Sequence, residues 1–227
     1  VLCHAAIGGD ELAETRLIVE GIAAGALPAA RCRNWHFYEG NPILTAHGEL
    51  EMQAGEGNVY APDVHRTDDG YLMWYGGQAR DGHDRIHLAR SQDGLQWTRI
   101  DENPVLDVDG SNHVNDPTVV RVNGVYHMFY SEAPLLEEDV IRWATSPDGV
   151  DWEPHGSVIP FGPPGSWDSF KVGRPSVIHE DGLFKMWYDG TNSSPDDRGV
   201  IGSPARRHVG YATGTDGRRW RKHDGNP

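Results

Sequence analysis

The sequence predicts an all-β fold built from repeated four-stranded antiparallel units, and three observations predict it. Turn formers and aromatic residues are both plentiful: the 227 residues include 28 Gly and 15 Pro beside 8 Trp, 8 Tyr and 5 Phe, a mixture suited to short strands and many turns. One pattern recurs three times, a proline followed eleven residues later by a Met that opens Met-aromatic-Tyr: Pro62 with Met73-Trp74-Tyr75, Pro117 with Met128-Phe129-Tyr130, and Pro175 with Met186-Trp187-Tyr188. A second pattern follows each copy, an Asp-Gly pair just ahead of a Trp: Asp93-Gly94 and Trp97, Asp148-Gly149 and Trp152, Asp216-Gly217 and Trp220. The aligned prolines lie 55 and 58 residues apart. Four strands per unit, repeated at that length, is the pattern of β-propeller blades.

Each element follows from its residues. Pro-x-Val opens a first strand, where a missing N–H is tolerated. Asp69-Gly70, Asn123-Gly124 and Asp181-Gly182 supply tight hairpin turns. Met-aromatic-Tyr is the second strand. A variable loop leads to a third strand that ends at Ala89, Ala144 or Ala212; the third copy's loop is ten residues longer than the others. The second Asp-Gly turn then leads to a fourth strand around the Trp. Complete repeats are expected at about residues 58–107, 113–160 and 171–225 within a propeller region 35–227. Trp35 followed by Asn41-Pro42 matches Trp97 with Asn103-Pro104 and Trp220 with Asn226-Pro227, so Trp35 reads as the end of an earlier blade. Residues 1–34 form an atypical N-terminal segment, a partial blade or a helix. Five blades at this repeat length need roughly 280 residues, so the chain reads as an incomplete propeller of the five-bladed type.

Composition narrows the function. A formal charge of −14 disfavours a nucleic-acid surface, which needs Lys and Arg clusters, and an anionic membrane. No apolar run reaches transmembrane length. Two cysteines, Cys3 and Cys32, leave a disulfide open and carry no metal-ligand spacing. Twelve histidines include no His-x-x-x-His pair. No metal or other cofactor is expected; a structural calcium ion is the single inorganic group left open. The partner that fits is an oligosaccharide or polysaccharide. Oligomeric state is undetermined.

The repeats separate scaffold from site. Residues alike in every copy belong to the blade. Polar residues that differ at equivalent positions are free to serve chemistry. Immediately before the aligned prolines stand Ala61, Asp116 and Arg174, and four before stand Asn58, His113 and Lys171. After the second strand's Tyr come Gly76-Gly77, Ser131-Glu132 and Asp189-Gly190. First-strand starts and second-strand ends share one face of a propeller, with the following loops above them, the first carrying Arg80, Asp81, His83 and Asp84. Period-two alternation puts Asp63 on the same strand face as Ala61. Trp167-Asp168 adds an aromatic and a carboxylate just before the third copy. The catalytic candidates are Asp63, Asp116, Glu132 and Asp168. The substrate-binding candidates are Arg80, Asp81, His83, Asp84, His113, Trp167, Lys171, Arg174 and Asp189. Several carboxylates around one pocket suit glycosidic bond cleavage, in which one acid protonates the leaving oxygen and another activates water or attacks carbon.

The segments YAPDVHRTDDGYLMWYGG, NDPTVVRVNGVYHMFYS and GRPSVIHEDGLFKMWYDG, with ATSPDGVDW and NPVL, resemble the five-bladed propeller glycosidases: glycoside hydrolase family 43, the invertase and levansucrase groups, and the mannoside phosphorylases. The resemblance covers residues 35–227. It implies a carbohydrate-active enzyme that hydrolyses or phosphorolyses a glycosidic bond. Tyr60-Ala61-Pro62-Asp63 is similar to the Trp-Ala-Pro-Asp that opens a second blade in family 43. Asn115-Asp116-Pro117 matches the Asp-Pro whose carboxylate orients and tunes the acid. The resemblance also implies a Glu-Gly-Pro acid where this chain has Gly173-Arg174-Pro175, and a blade-one Asp-Pro that has no match before Trp35. Either Glu132, Asp168 or Asp189 supplies the acid, or the chain belongs to another family, or it holds part of a site. Arg174 at that position suits an anionic substrate group or phosphate. The alternative is a non-catalytic carbohydrate-binding propeller.

Overall fold

A computed structural model describes residues 38–46, 57–78, 81–108, 112–134, 139–192 and 207–227. Residues 1–34, Cys3, Cys32, Trp35 and Arg80 lie outside the described residues. The chain divides into two compact units, Val1–Ile43 and Leu44–Pro227. In the first, the described part is a turn closed by the Asn41 N–H on the Tyr38 carbonyl at 3.1 Å. All that follows concerns the second.

Twelve strands run in chain order, with no helix among the described residues. β1 (Asn58–Thr67), β2 (Gly70–Gln78), β3 (Asp84–Ser91) and β4 (Thr98–Arg99) form one antiparallel sheet in sequential order. β5 (Asn112–Val122), β6 (Val125–Pro134), β7 (Val140–Ser146) and β8 (Glu153–Ile159) form a second. β9 (Lys171–Glu180), β10 (Leu183–Thr191), β11 (His208–Gly214) and β12 (Trp220–Lys222) form a third. These are three four-stranded blades, the architecture the repeats predict.

The repeated residues build the blade. Asn123-Gly124 and Asp181-Gly182 turn with φ of 51°, 85°, 55° and 75°, the positive pair that a two-residue I′ hairpin turn requires. Asp93 Oδ1 accepts the N–H groups of Leu95 and Gln96, both at 2.8 Å, and the Trp97 indole N–H closes on the Gly94 carbonyl at 3.0 Å. The same turn recurs around Asp148 with Trp152 and around Asp216 with Trp220. Its Asp is held below the usual carboxylate range chiefly by those backbone N–H groups. Gly94, Gly149 and Gly217 sit there at φ of 78°, 82° and 73°, the left-handed region that glycine adopts without strain.

The apolar core lies between blades. Trp74, Ile86, Leu88 and Leu106 of the first pack on Val114, Val119, Met128 and Tyr130 of the second. Phe129, Ile141, Trp143 and Ile159 of the second pack on Val172, Val177, Phe184 and Met186 of the third. Trp74 and Phe129, equivalent in sequence, are fully buried by the blade that follows. Trp187, the third equivalent, is exposed, with Ile178 and Val209.

First strands stand side by side through a repeated strut. Asp63 Oδ2 accepts the Val119 N–H at 2.6 Å, and Thr118 Oγ1, at the equivalent position one blade on, accepts the Val177 N–H at 3.2 Å. Simple alternation through Asp63 does not hold, because a bulge intervenes. Ala61 and Pro62 together oppose Tyr75, so the register breaks between Tyr60 and Asp63. Asp116-Pro117 opposes Tyr130, and Arg174-Pro175 opposes Tyr188, in the same way.

Candidate functional site

At each bulge the residue before the proline adopts a left-handed backbone: φ is 47° at Ala61, 51° at Asp116 and 48° at Arg174. Such a conformation costs a non-glycine residue about 1–2 kcal/mol. Glycine would carry it freely, yet no copy uses glycine. The buried tyrosine opposite and the fixed proline hold the kink, and it re-aims one side chain per blade, as bulges beside functional sites do.

Those side chains meet polar residues from two further places that also vary between copies. One is the end of the second strand, Gly76, Ser131 and Asp189, paired with Tyr60, Asn115 and Gly173 across the ladder. In the first blade the glycine is required sterically: a Cβ at Gly76 would lie 2.8 Å from the Tyr60 ring. The other is the start of the third strand, Asp84, Asp139 and Arg207, each five residues before the aligned Ala.

Asp116 stands between two groups of residues. On one side its neighbour is Arg174, whose Nε is 3.9 Å from Asp116 Oδ2. From there a chain of alternating charge continues. Arg174 Nη1 and Arg207 Nη1 both donate to Asp189 Oδ2 at 2.9 Å. Arg207 Nη2 is 3.9 Å from Asp139 Oδ2, and Lys171 Nζ is 3.3 Å from Asp139 Oδ1. Ser131 Oγ accepts the Arg174 N–H at 2.8 Å. On the other side lie Tyr60, Asn115, Asp84 and His113. His113 Nδ1 is 3.0 Å from Asp84 Oδ2, with both side chains largely buried. The His83 ring lies 5.5 Å from the His113 ring. The Tyr60 phenol is pushed well above its ordinary value, first by burial and then by the Asp84 carboxylate.

Asp116 is raised above the ordinary carboxylate value. Burial is the main cause, with Asp139 and Asp189 reinforcing it and Arg174 and a Ser131 hydrogen bond opposing it. A partly buried carboxyl raised in this way is suited to holding and delivering a proton.

The remaining sequence candidates lie as follows. Asp63 is committed to Val119 and also approaches His65 Nε2 at 3.3 Å. Glu132 alternates to the other sheet face from Ser131 and pairs with Arg142 at 3.1 Å. Asp168 is 2% exposed and receives Lys222 Nζ at 2.6 Å, Ser166 Oγ at 3.1 Å and the Tyr188 hydroxyl at 3.2 Å. Lys222 lies on β12, the fourth strand, so this network spans the third blade away from the first-strand starts. Trp167 is half-buried over Gly190 and Gly210, with its ring 5.6 Å from Tyr188. Asp81 pairs with Arg85 at 2.7 Å and is held well below the usual carboxylate range, first by that hydrogen bond. His83 Nε2 is 3.4 Å from Asp107 Oδ1. Asp116, His113, Asp84, Lys171, Arg174 and Asp189 are therefore brought together, and Asp63, Glu132, Asp168, Trp167 and Asp81 are engaged elsewhere.

Sequence reading missed Asp139 and Arg207. Their signal was available: counting back five residues from the aligned Ala89, Ala144 and Ala212 gives Asp, Asp and Arg, a divergent position of the kind that marked Asp116. Among the described residues no group of three or more His, Cys, Asp or Glu side chains could hold a metal ion. An open concavity of about 430 Å³ lies elsewhere, between Glu102, Val105, Val150 and Trp152, on the outer side of the first two blades.

Comparison with known proteins agrees with the fold. No protein-family profile matches the chain. It is 34% identical over 129 residues to an uncharacterized protein of Mycobacterium tuberculosis, covering 53% of this chain and 42% of that one. It is 25% identical over 182 residues to an A type blood N-acetyl-α-D-galactosamine deacetylase of Flavonifractor plautii, covering 67% of this chain and 22% of that one. It is 32% identical over 80 residues to a 1,2-β-oligomannan phosphorylase of a Thermoanaerobacter species, covering 33% and 27%. Among solved structures, a glycoside hydrolase superposes with a TM-score of 0.63 at 21% identity over 83% of this chain and 54% of that one. A thermostable family-43 glycoside hydrolase does so at 0.62 and 22%, over 82% and 60%. The chain has the β-propeller fold of these glycoside hydrolases, and it spans less than half the length of the curated relatives it matches.

Proposed function

We propose that this propeller is part of a carbohydrate-active enzyme that cleaves a glycosidic bond, with Asp116 as a proton-transferring carboxyl at its mouth. The observation that carries the reading is the state of Asp116: partly buried beside Arg174, raised above the ordinary carboxylate value, and aimed by a left-handed bulge. Strained backbone held by surrounding structure concentrates at functional sites. The sugar substrate class is supported by the neighbours' own names, glycoside hydrolases and an oligomannan phosphorylase.

Glycosidic cleavage needs a proton on the leaving oxygen as the C–O bond breaks. Asp116 can hold that proton because burial disfavours its anion. Arg174, at 3.9 Å, can stabilise the carboxylate once the proton has left. The chain of charge behind Arg174 fixes its guanidinium on Asp189. The test is turnover of aryl glycosides and of plant and algal oligosaccharides by the full-length protein and by its Asp116→Asn variant. Turnover in the parent and a loss of about 100-fold or more in the variant is expected; equal turnover removes Asp116 from the mechanism.

A second reading, sugar binding without catalysis, is favoured by one feature: Glu132, Asp168 and Asp189 are each ion-paired with a cation. Saturable glycan binding with no turnover by the full-length protein would select it.

A further inference from the structure

Equivalent apolar residues of the three blades differ in how far they are covered. In the second strand, Trp74 and Phe129 are fully buried and Trp187 is 39% exposed. In the third strand, Ile86 and Ile141 are fully buried, and Val209, likewise three residues before its aligned Ala, is 64% exposed. The blades themselves are alike, so the difference lies in what stands against them. The second blade covers the first, and the third covers the second. On the third blade, Trp187 pairs across the ladder with Ser176 on one side and Tyr211 on the other. Period-two alternation puts Ile178 and Val209 on the same sheet face as those three. An exposed apolar face of this kind marks a contact surface.

We propose that this face of the third blade seats a further blade of the same repeat, carried by the same polypeptide. The two existing junctions specify how it docks. In the first, the Trp74 indole N–H donates to the Gly149 carbonyl in the next blade's Asp-Gly turn at 2.9 Å. Asp63 accepts the N–H of Val119, two residues after the next blade's proline. In the second, Thr118 accepts the Val177 N–H in the same way. Trp187 and Ser176 hold the corresponding positions on the third blade, and both are exposed. The blade that fits them carries a Pro-x-Val first strand, whose valine N–H reaches the Ser176 hydroxyl. Its Asp-Gly turn presents a glycine carbonyl to the Trp187 indole.

Both existing junctions join blades that follow one another in one chain, their prolines 55 and 58 residues apart. Such a tether holds the covering blade at an effective concentration of about millimolar, an advantage that a second copy lacks. The first blade shows the other half of the same joint: Val64, equivalent to the buried Val119 and Val177, is 47% exposed. The joint also bears on the mouth. Across the second junction Arg174, the residue before its proline, comes within 3.9 Å of its counterpart Asp116. A fourth blade brings its own residue before the proline beside Arg174, so part of the polar mouth comes from it.

The docking is read without substrate, so its failure is distinct from failure of the glycosidic reading. Hydroxyl-radical footprinting with mass spectrometry compares Trp74 and Trp187 in the full-length protein, at low and at high concentration, each against the urea-unfolded chain. Equal protection of the two indoles at both concentrations is expected. A Trp187 markedly more reactive than Trp74 overturns the proposal. Protection that fades on dilution also overturns it and assigns the face to a second copy. Two variants of the full-length protein add a stability readout. Trp187→Phe imitates Phe129 and should keep its Tm within a few degrees of the parent. Trp187→Arg puts a charge into the joint and should lower Tm by about 4 °C or more. An unchanged Tm in Trp187→Arg overturns the joint; should that variant not fold, the footprint of the parent decides.

Discussion

Arg174 and Asp116 occupy the same position in successive blades, and their side chains meet 3.9 Å apart. One backbone device, a left-handed residue before a proline, is used twice to deliver opposite charges to one point. The pairing links the fold's repeat to its chemistry, and several measurements can test the link.

Asp116→Ala should fold nearly as well as the parent. Ala61 already holds the same backbone at φ 47° in the first blade. A Tm within a few degrees of the parent is expected by calorimetry, beside a large loss of turnover. Asp116→Gly should be as stable or slightly more so, because glycine removes a left-handed penalty of about 1 kcal/mol.

The pH dependence of Asp116→Asn has a definite sign. The folded carboxyl is raised above its unfolded value, for which 3.8 is ordinary. Between those two values the native state holds more protons than the unfolded state, so the parent loses stability as pH rises through the window. The variant has no such group. Thermal melts should therefore show Asp116→Asn gaining on the parent as pH rises from about 4 toward neutrality, with the difference flat below. A difference that shrinks with rising pH would contradict the raised carboxyl.

Asp63 and Thr118 hold neighbouring first strands by the same hydrogen bond. Asp63→Thr should therefore fold well. Asp63→Ala strands the Val119 N–H, a loss of about 1–3 kcal/mol, readable by urea titration.

Asp168 is the buried acceptor for Lys222, Ser166 and Tyr188. Asp168→Ala leaves the Lys222 ammonium with the Pro160 carbonyl and strands the buried Tyr188 hydroxyl, a loss of about 1–3 kcal/mol. The third blade should lose amide protection first in hydrogen exchange. Gly210→Ala tests the Trp167 seat, where a new Cβ would lie 2.6 Å from the indole; overpacking of this kind costs about 1–3 kcal/mol.

The three blades and their turns were legible because the repeat served as its own alignment. Positions kept in all copies marked strands and turns, and positions that changed marked Asp116 and Arg174. The bulge was not legible. Pro62, Pro117 and Pro175 read as ordinary strand starts, and the left-handed residue before each is Ala, Asp or Arg, none of which advertises a positive φ. That kink broke the alternation assumed for Asp63. Trp167 and Asp168 looked like rim residues because their partners Gly210 and Lys222 lie more than forty residues away in sequence, on strands whose neighbours only the fold reveals. Asp139 and Arg207 were hidden by loops of unequal length.

The bulge also separates what this architecture inherits from what it can change. A single codon before the proline selects an inert methyl group, an acid or a guanidinium, while the tyrosine behind it and the strand ladder stay as they are. Altered specificity can thus be explored one substitution at a time with folding left largely intact, which makes these three positions the natural sites at which to randomise the protein in a directed search for new activity.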